Sequence, residues 1–563
     1  MLIKNFKDIP VIDLFAGPGG LSEGFASFTP KRGTDGPFKI SASVEMDAWA
    51  HQTLELRSFF HEFKQGYAPD EYYKFLRQEI TKDELFGLYP EQSAAARKHA
   101  ILAELGNEED DKIIRQRLDE ILGGDTSKPW VLIGGPPCQA YSVIGRSRRQ
   151  ANGIGHQGQE DDHRNFLYLK YLDVIARYKP AVFVMENVTG MLSAQVRGEK
   201  IFYKILEDLR HPKLALAESE VFGYKHNGLE YKIYSLVVSK DDNSSLDPTD
   251  YIIRSENYGV GQARHRVILL GIRSDIDIKP HTLTPKTDKV TVETLLADLP
   301  RLRSSFTRPV VSAEQWYDFL SEIRNQEWYK QYNPAVEGDN PVNKQLLKAK
   351  MDKYLKALRA DLPTGGEFIE AEVKTSYRPD WFNDPRLKGV VNHIARGHMK
   401  EDLYRYFFAA AYTSAFNRSP RMKDFPRQLL PKHKNVDQSL DKGAFDDRFR
   451  VQQTDRPATT ITCHISKDGH YNIHYDPSQC RSLTVREAAR LQSFPDNYYF
   501  VGPRSQQYHQ VGNAVPPLLA AQVADIVYDV ISQIPQLDPK SHESSVENDI
   551  TSVVSQGREV VVA

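Results

Sequence analysis

Cys138 closes the run Gly134-Gly135-Pro136-Pro137-Cys138, which follows the apolar segment Trp130-Val131-Leu132-Ile133. That pattern predicts a buried strand ending in a sharp turn. Two prolines stiffen the turn, so the thiol is presented rigidly over the crevice where open α/β sheets bind ligands. A fixed approach geometry is what a nucleophile needs. A lone cysteine is more often a small core hydrophobe, so the reading depends on its neighbours.

Glu186 is the first of these neighbours. It follows Ala181-Val182-Phe183-Val184-Met185, a second buried-strand pattern, and so would stand at the end of a strand in the same crevice. The alternative role is a carboxylate capping the next helix. Gln262-Ala263-Arg264-His265-Arg266 reads as a strand on which Gln262, Arg264 and Arg266, two residues apart, point the same way. A basic strand edge paired with surface acids is the alternative there. At the amino terminus Pro10-Val11-Ile12-Asp13-Leu14-Phe15 runs into Ala16-Gly17-Pro18-Gly19-Gly20, a strand, a glycine turn and a helix start. Such a turn lets the backbone approach a nucleotide-like ligand closely. The next strand, Ile40-Ser41-Ala42-Ser43-Val44, ends in Glu45, an acid placed to accept hydrogen bonds from both hydroxyls of a ribose. No Gly-Lys-Ser/Thr follows the turn, which argues against an ATP phosphate loop.

Taken in order, these segments resemble the motif series of the DNA (cytosine-5) methyltransferases, of the bacterial restriction–modification type. The series continues with Arg481-Ser482-Leu483-Thr484-Val485-Arg486-Glu487-Ala488, then Leu491-Gln492-Ser493-Phe494-Pro495, and closes at Gln510-Val511-Gly512-Asn513-Ala514-Val515-Pro516-Pro517. The resemblance implies transfer of a methyl group from S-adenosylmethionine, leaving S-adenosylhomocysteine, to C5 of a cytosine flipped out of duplex DNA. Cys138 would add to C6, Glu186 would act at N3, Arg266 would contact O2 and Arg264 would order the site. A thiolate suits the task because it is soft, partly populated near neutral pH and able to leave again. Phe15, Gly17, Pro18, Gly19, Gly20, Glu45, Met46, Leu167, Asn513 and Val515 would hold the cofactor. Gln139, Ser142 and the basic loop residues Arg146, Arg148 and Arg149 would touch DNA as the loop closes over the flipped base. No metal is implied. A cytosine-5 methyltransferase acting on RNA is a second reading, although the Cys-Phe-Thr signature of the transfer-RNA branch is missing here. A catalytically silent DNA-binding regulator is a third, and it would be expected to have lost one of Cys138, Glu186 or the arginines.

These residues need a large scaffold. The chain has 563 residues, 40% hydrophobic and 26% charged, enough for two domains of an ordinary globular protein. A net charge of −2 says nothing about nucleic acid, because a local basic face can be offset elsewhere. Three cysteines make no disulfide framework or zinc site, and Met1–Lys7 carries no signal-peptide apolar region. The expectation is a monomer in the reducing bacterial cytoplasm or nucleoid, with no apolar run approaching a membrane span. Its partners would be double-stranded DNA and a cognate restriction endonuclease acting on the same site.

The expected fold is α/β, a doubly wound, mostly parallel sheet of the Rossmann-like class I methyltransferase type, with a smaller target-recognition domain. Residues 1–303 would form the catalytic domain and 304–469 the recognition domain. Residues 470–535 would return to complete the first, and 536–563 would be a weakly ordered tail. Residues 70–122 read as a charged helical insertion with Tyr72, Phe75, Leu76 and Ile80 on one apolar face. It stands where the family has a short strand bearing an acid for the adenine amino group, and no such acid is identified. Between Arg418 and Lys434 six basic residues (Arg418, Arg421, Lys423, Arg427, Lys432 and Lys434) stand against Asp424 alone. They form either a solvated face or a DNA-backbone contact.

Overall fold

The computed structural model describes residues 7–30, 36–64, 67–123, 128–137, 157–196, 199–219, 228–240, 246–332, 343–432, 436 and 446–534. Its centre is an eight-stranded sheet. The strands are β1 (Ile9–Leu14), β2 (Phe38–Glu45), β3 (Ala100–Leu102), β4 (Val131–Gly134), β5 (Val182–Val188), β6 (Tyr231–Ser235), β7 (Ile252–Arg254) and β8 (His265–Arg273). Seven of them lie in the order β3-β2-β1-β4-β5-β8-β6, and β7 pairs with β8. The pairs β1–β2, β1–β4, β2–β3 and β4–β5 are parallel, whereas β8 runs antiparallel to β5, β6 and β7.

Parallel strands covered on both faces read as continuous apolar runs; β4 does, and β1 and β5 do until Asp13 and Glu186 near their carboxyl ends. One face of β1 (Ile9, Val11) packs into a core with Leu519, Val523 and Val527, and the other (Ile12, Leu14) packs with Tyr171, Leu172 and Ile175. Winding reverses at β1, whose neighbours are β2 on one side and β4 on the other, so the crevice for a ligand opens beyond the carboxyl ends of these strands.

Helix α1 (Gly20–Ala26) leaves the first turn and packs against a helix from the far end of the chain, residues 517–532. Gly20 permits the approach, since a Cβ there would lie 2.2 Å from the Val515 carbonyl oxygen. Contrary to the expectation of no span-length run, residues 504–532 are long and apolar enough to cross a bilayer. That apolarity serves the core instead, with 78% of the window buried inside the protein.

Residues 70–122 are not all helix. After α2 (Ala48–His61), the helices α3 (Asp70–Leu76), α4 (Lys82–Leu88), α5 (Pro90–His99) and α6 (Glu108–Leu122) of this block are interrupted by β3, which extends the sheet beyond β2 in the register Ser43↔Ala100 to Glu45↔Leu102. Three residues are too few for an alternation to register against the surrounding helical period. Tyr72 and Leu76 are buried as one apolar face, joined by Leu387 and Val391 from much later in the chain. A separate core gathers Phe306, Trp316, Met351, Tyr406, Phe408, Phe449, Ile473 and Cys480.

Candidate active site

The first turn is built for close approach. Phe15 takes a φ of 59°, uncommon for an aromatic residue, and Gly17 follows at 56°. A Cβ on Gly17 would be strained by that φ, yet nothing lies within 4 Å of where it would stand: the backbone faces open space. The Glu45 carboxylate at the end of β2 holds the turn, accepting from the amides of Gly17 (2.8 Å) and Asp47 (2.8 Å). Burial pushes the Glu45 carboxyl above its ordinary range, and the two amide donors work against that rise. Asp13, at the end of β1, is 1% exposed and accepts from the Ser22 hydroxyl. Its second oxygen, Oδ1, is buried without a hydrogen-bond partner. Burial pushes Asp13 up to about 7; the Ser22 bond pulls it down and the charge of Glu45 adds to the rise.

Beyond β4, the Pro136 carbonyl accepts from the Asn187 side chain at 3.0 Å, which fastens the proline turn to the end of β5. Glu186 lies against this turn, its Oε2 3.2 Å from where a Gly135 Cβ would be. It forms an ion pair with Arg266 (Nε to Oε1, 2.9 Å), each side chain 14% exposed. The sheet register explains the pair. Arg266 stands opposite Val188, and Glu186 opposite Ile268, so the two share a face as diagonal neighbours across β5 and β8.

Gln262, Arg264 and Arg266 do not point together as expected. The strand breaks at Arg264, between the short pair Gln262–Ala263 and β8, so the two-residue alternation does not run through it. Gln262 accepts from the Ile461 amide (2.7 Å), and Arg264 donates to the carbonyls of Ile461 (2.9 Å) and Gly512 (3.1 Å). Only Arg266 reaches Glu186. Burial pushes the Arg264 guanidinium down to about 9; neighbouring Arg266 adds to the fall and Glu186 opposes it.

A cavity of about 410 Å³ joins these parts, within the size range of small-molecule sites. Phe15, Gly17, Pro18, Gly20, Glu45, Asn513 and Val515 line it on one side, and Gly135, Pro137 and Glu186 on the other. Asp13, Asp47, His509 and Gln510 line it too, and sequence reasoning did not single them out. The signal for Asp13 was its place at the end of the first strand. Gly19, Met46 and Leu167 are outside this lining. Gly19 borders a second cavity behind the turn, Met46 is largely exposed, and Leu167 packs in the core below Gly106. Cys138, Gln139, Ser142, Arg146, Arg148 and Arg149 lie outside the described residues; the described stretch before them ends at Pro137, on the cavity wall. In the later basic stretch, Arg418 is tied to Asp424 (2.8 Å) and Arg421 to Asp446 (3.2 Å), while Lys434 is outside the described residues.

The family of C-5 cytosine-specific DNA methylases matches residues 107–227 and 247–528. The type II methyltransferase M.Bpa9945I of Bacillus paralicheniformis is 32% identical over 536 residues, covering 93% of this chain and 99% of its own length. The type II methyltransferase M.DdeI of Desulfomicrobium norvegicum is 22% identical over 528 residues, covering 92% and 87%. The DNA (cytosine-5-)-methyltransferase M.ApeKI of Aeropyrum pernix is 24% identical over 441 residues, covering 72% and 82%.

Proposed function

The chain belongs to the C-5 cytosine-specific DNA methylases and is a DNA (cytosine-5-)-methyltransferase, and from that premise we propose that it methylates a flipped cytosine through a covalent bond between Cys138 and C6. The observation that carries this reading is the Glu186–Arg266 pair beside the Gly135-Pro136-Pro137 turn, in one cavity with the glycine turn and Glu45. Cys138 is the next residue after Pro137.

In this mechanism the Cys138 thiolate adds to C6 and the C5=C6 electron pair moves toward C5. Cytosine C5 is otherwise a poor nucleophile, and the charge that would build on the ring is relieved at N3 by a proton from Glu186. Arg266, paired with Glu186, would fix its orientation and contact the base at O2. C5 then takes the methyl group. Loss of the C5 proton to solvent restores the double bond and expels the thiolate, and the N3 proton returns to Glu186.

The family uses S-adenosylmethionine, which supplies an electrophilic methyl group on a sulfonium. The residues present fit it. Gly17 opens onto free space, Glu45 has acceptor capacity left for ribose hydroxyls, and Phe15, Asn513 and Val515 complete the wall. Duplex DNA would lie between the sheet domain and a recognition domain near residues 304–469, with Gln139, Ser142, Arg146, Arg148 and Arg149 gripping it as the flipped base enters. Relatives named as type II methyltransferases support a restriction–modification setting, with an endonuclease acting on the same site. A monomer in the bacterial cytoplasm fits that setting.

The test is an adduct assay on DNA carrying 5-fluorocytosine. After methyl transfer the fluorine cannot leave as a proton does, so the enzyme stays joined to the base. A stable, S-adenosylmethionine-dependent protein–DNA band is expected from the wild type and none from Cys138→Ser. Methylation by Cys138→Ser, or no adduct on DNA that the wild type methylates, overturns the mechanism.

A further inference from the structure

Arg264 touches neither Glu186 nor the cavity wall, yet it joins three parts of the molecule. Its Nη1 donates to Gly512 O, one residue before Asn513 on the cavity wall, and to Ile461 O, in the 458–463 segment. Two residues on, Arg266 holds Glu186. The 458–463 segment is bound to this stretch along its length. Ala458 and Thr459 pair in parallel with Gln262 and Ala263, the Thr460 hydroxyl donates to Ala263 O (2.6 Å), and the Ile461 amide donates to Gln262 Oε1. Contact with the cavity helix is equally close, because a Cβ on Gly512 would stand 2.3 Å from the Cys463 amide nitrogen. Arg264 itself is 1% exposed.

We infer that Arg264 is a positioning residue that couples target recognition to cofactor binding, by tying the 458–463 segment to Gly512 and, through the backbone, to Arg266. The inference rests on the reading above that residues 304–469 engage DNA. A shift of the 458–463 segment when the target sequence is bound must move Ile461 O, and Arg264 carries that shift through Gly512 to the cavity wall at residues 513–515 and to the Glu186–Arg266 pair. The coupling is reciprocal: whatever factor the target DNA adds to cofactor affinity, the cofactor adds to DNA affinity.

The experiment measures S-adenosylhomocysteine affinity by calorimetry with the enzyme alone, with a duplex carrying the site it methylates, and with that duplex altered at one base pair of the site. The site is first located by bisulfite sequencing of DNA the enzyme has modified. For the wild type, the target duplex should tighten binding by about 5-fold or more, and the altered duplex should not. In Arg264→Met the enhancement should fall below about 2-fold, whatever its affinity without DNA. Thr460→Val, a near-isosteric change that removes one bond of the latch, should reduce the enhancement partway with an unchanged melting temperature. It decides the matter if Arg264→Met does not fold. Absence of enhancement in the wild type, full enhancement in Arg264→Met, an equal loss with and without DNA, or an unaffected Thr460→Val each overturns the inference. Failure of the wild type to methylate cytosine at all overturns the reading beneath it instead.

Discussion

Asp13→Asn should make the protein more stable, and by a margin that grows with pH. In the native state Asp13 is fully buried, its Oδ1 has no hydrogen-bond partner, and burial pushes its pKa from 3.8 up to about 7. A raised native pKa means the folded protein holds the proton more tightly than the unfolded chain. The stabilisation from that proton is complete below the unfolded pKa and is lost as pH rises through about 7. A shift of this size corresponds to about 4 kcal/mol in all, of which about 3 kcal/mol falls between pH 5 and pH 8. Asparagine keeps an acceptor for the Ser22 hydroxyl and removes the ionisation, so it escapes this loss. Urea unfolding of both proteins at pH 5, 6, 7 and 8 should show the gap in unfolding free energy widening by that order. Parallel profiles would refute the reasoning, since they would mean Asp13 is solvated or paired when folded. A cationic cofactor in the same cavity should favour the ionised form, so its binding near pH 7 should release protons, seen as a buffer-dependent calorimetric enthalpy.

Glu45→Ala should weaken S-adenosylhomocysteine binding by about 1–3 kcal/mol, because it removes the ribose acceptor along with the carboxylate that holds the Gly17 amide. Calorimetry showing unchanged affinity would count against the ribose assignment. Tyr73→Phe should lower stability by about 1.5 kcal/mol while leaving cofactor affinity unchanged, since the hydroxyl lost donates to Asp384 (2.7 Å) and not to the cavity. A urea midpoint equal to wild type would show that α3 does not brace the 384–391 segment.

The sequence by itself determined the strand–turn units that present the site. Strands β1, β4 and β5 are covered on both faces, so each reads as a mainly apolar run, and Gly17 and Gly135 follow two of these runs within a few positions while Glu186 stands near the carboxyl end of the third. The ligand-facing end of the sheet was therefore legible without coordinates, as was Glu45. The tertiary structure alone decided features that depend on partners far along the chain. Strand β3 exists because it adds to β2, three residues carrying no period of their own. Arg264 turns from Arg266 because Ile461 and Gly512, about 200 and 250 positions later, offer it carbonyls where the strand breaks. The helices of residues 70–99 cover Leu387 and Val391, an apolar match between segments some 300 residues apart. Asp13 has an ordinary carboxylate's sequence context, and only the packing around it raises its pKa to about 7. Local pattern is written in neighbouring residues; burial, strand interruption and charge environment are set by which distant surfaces meet.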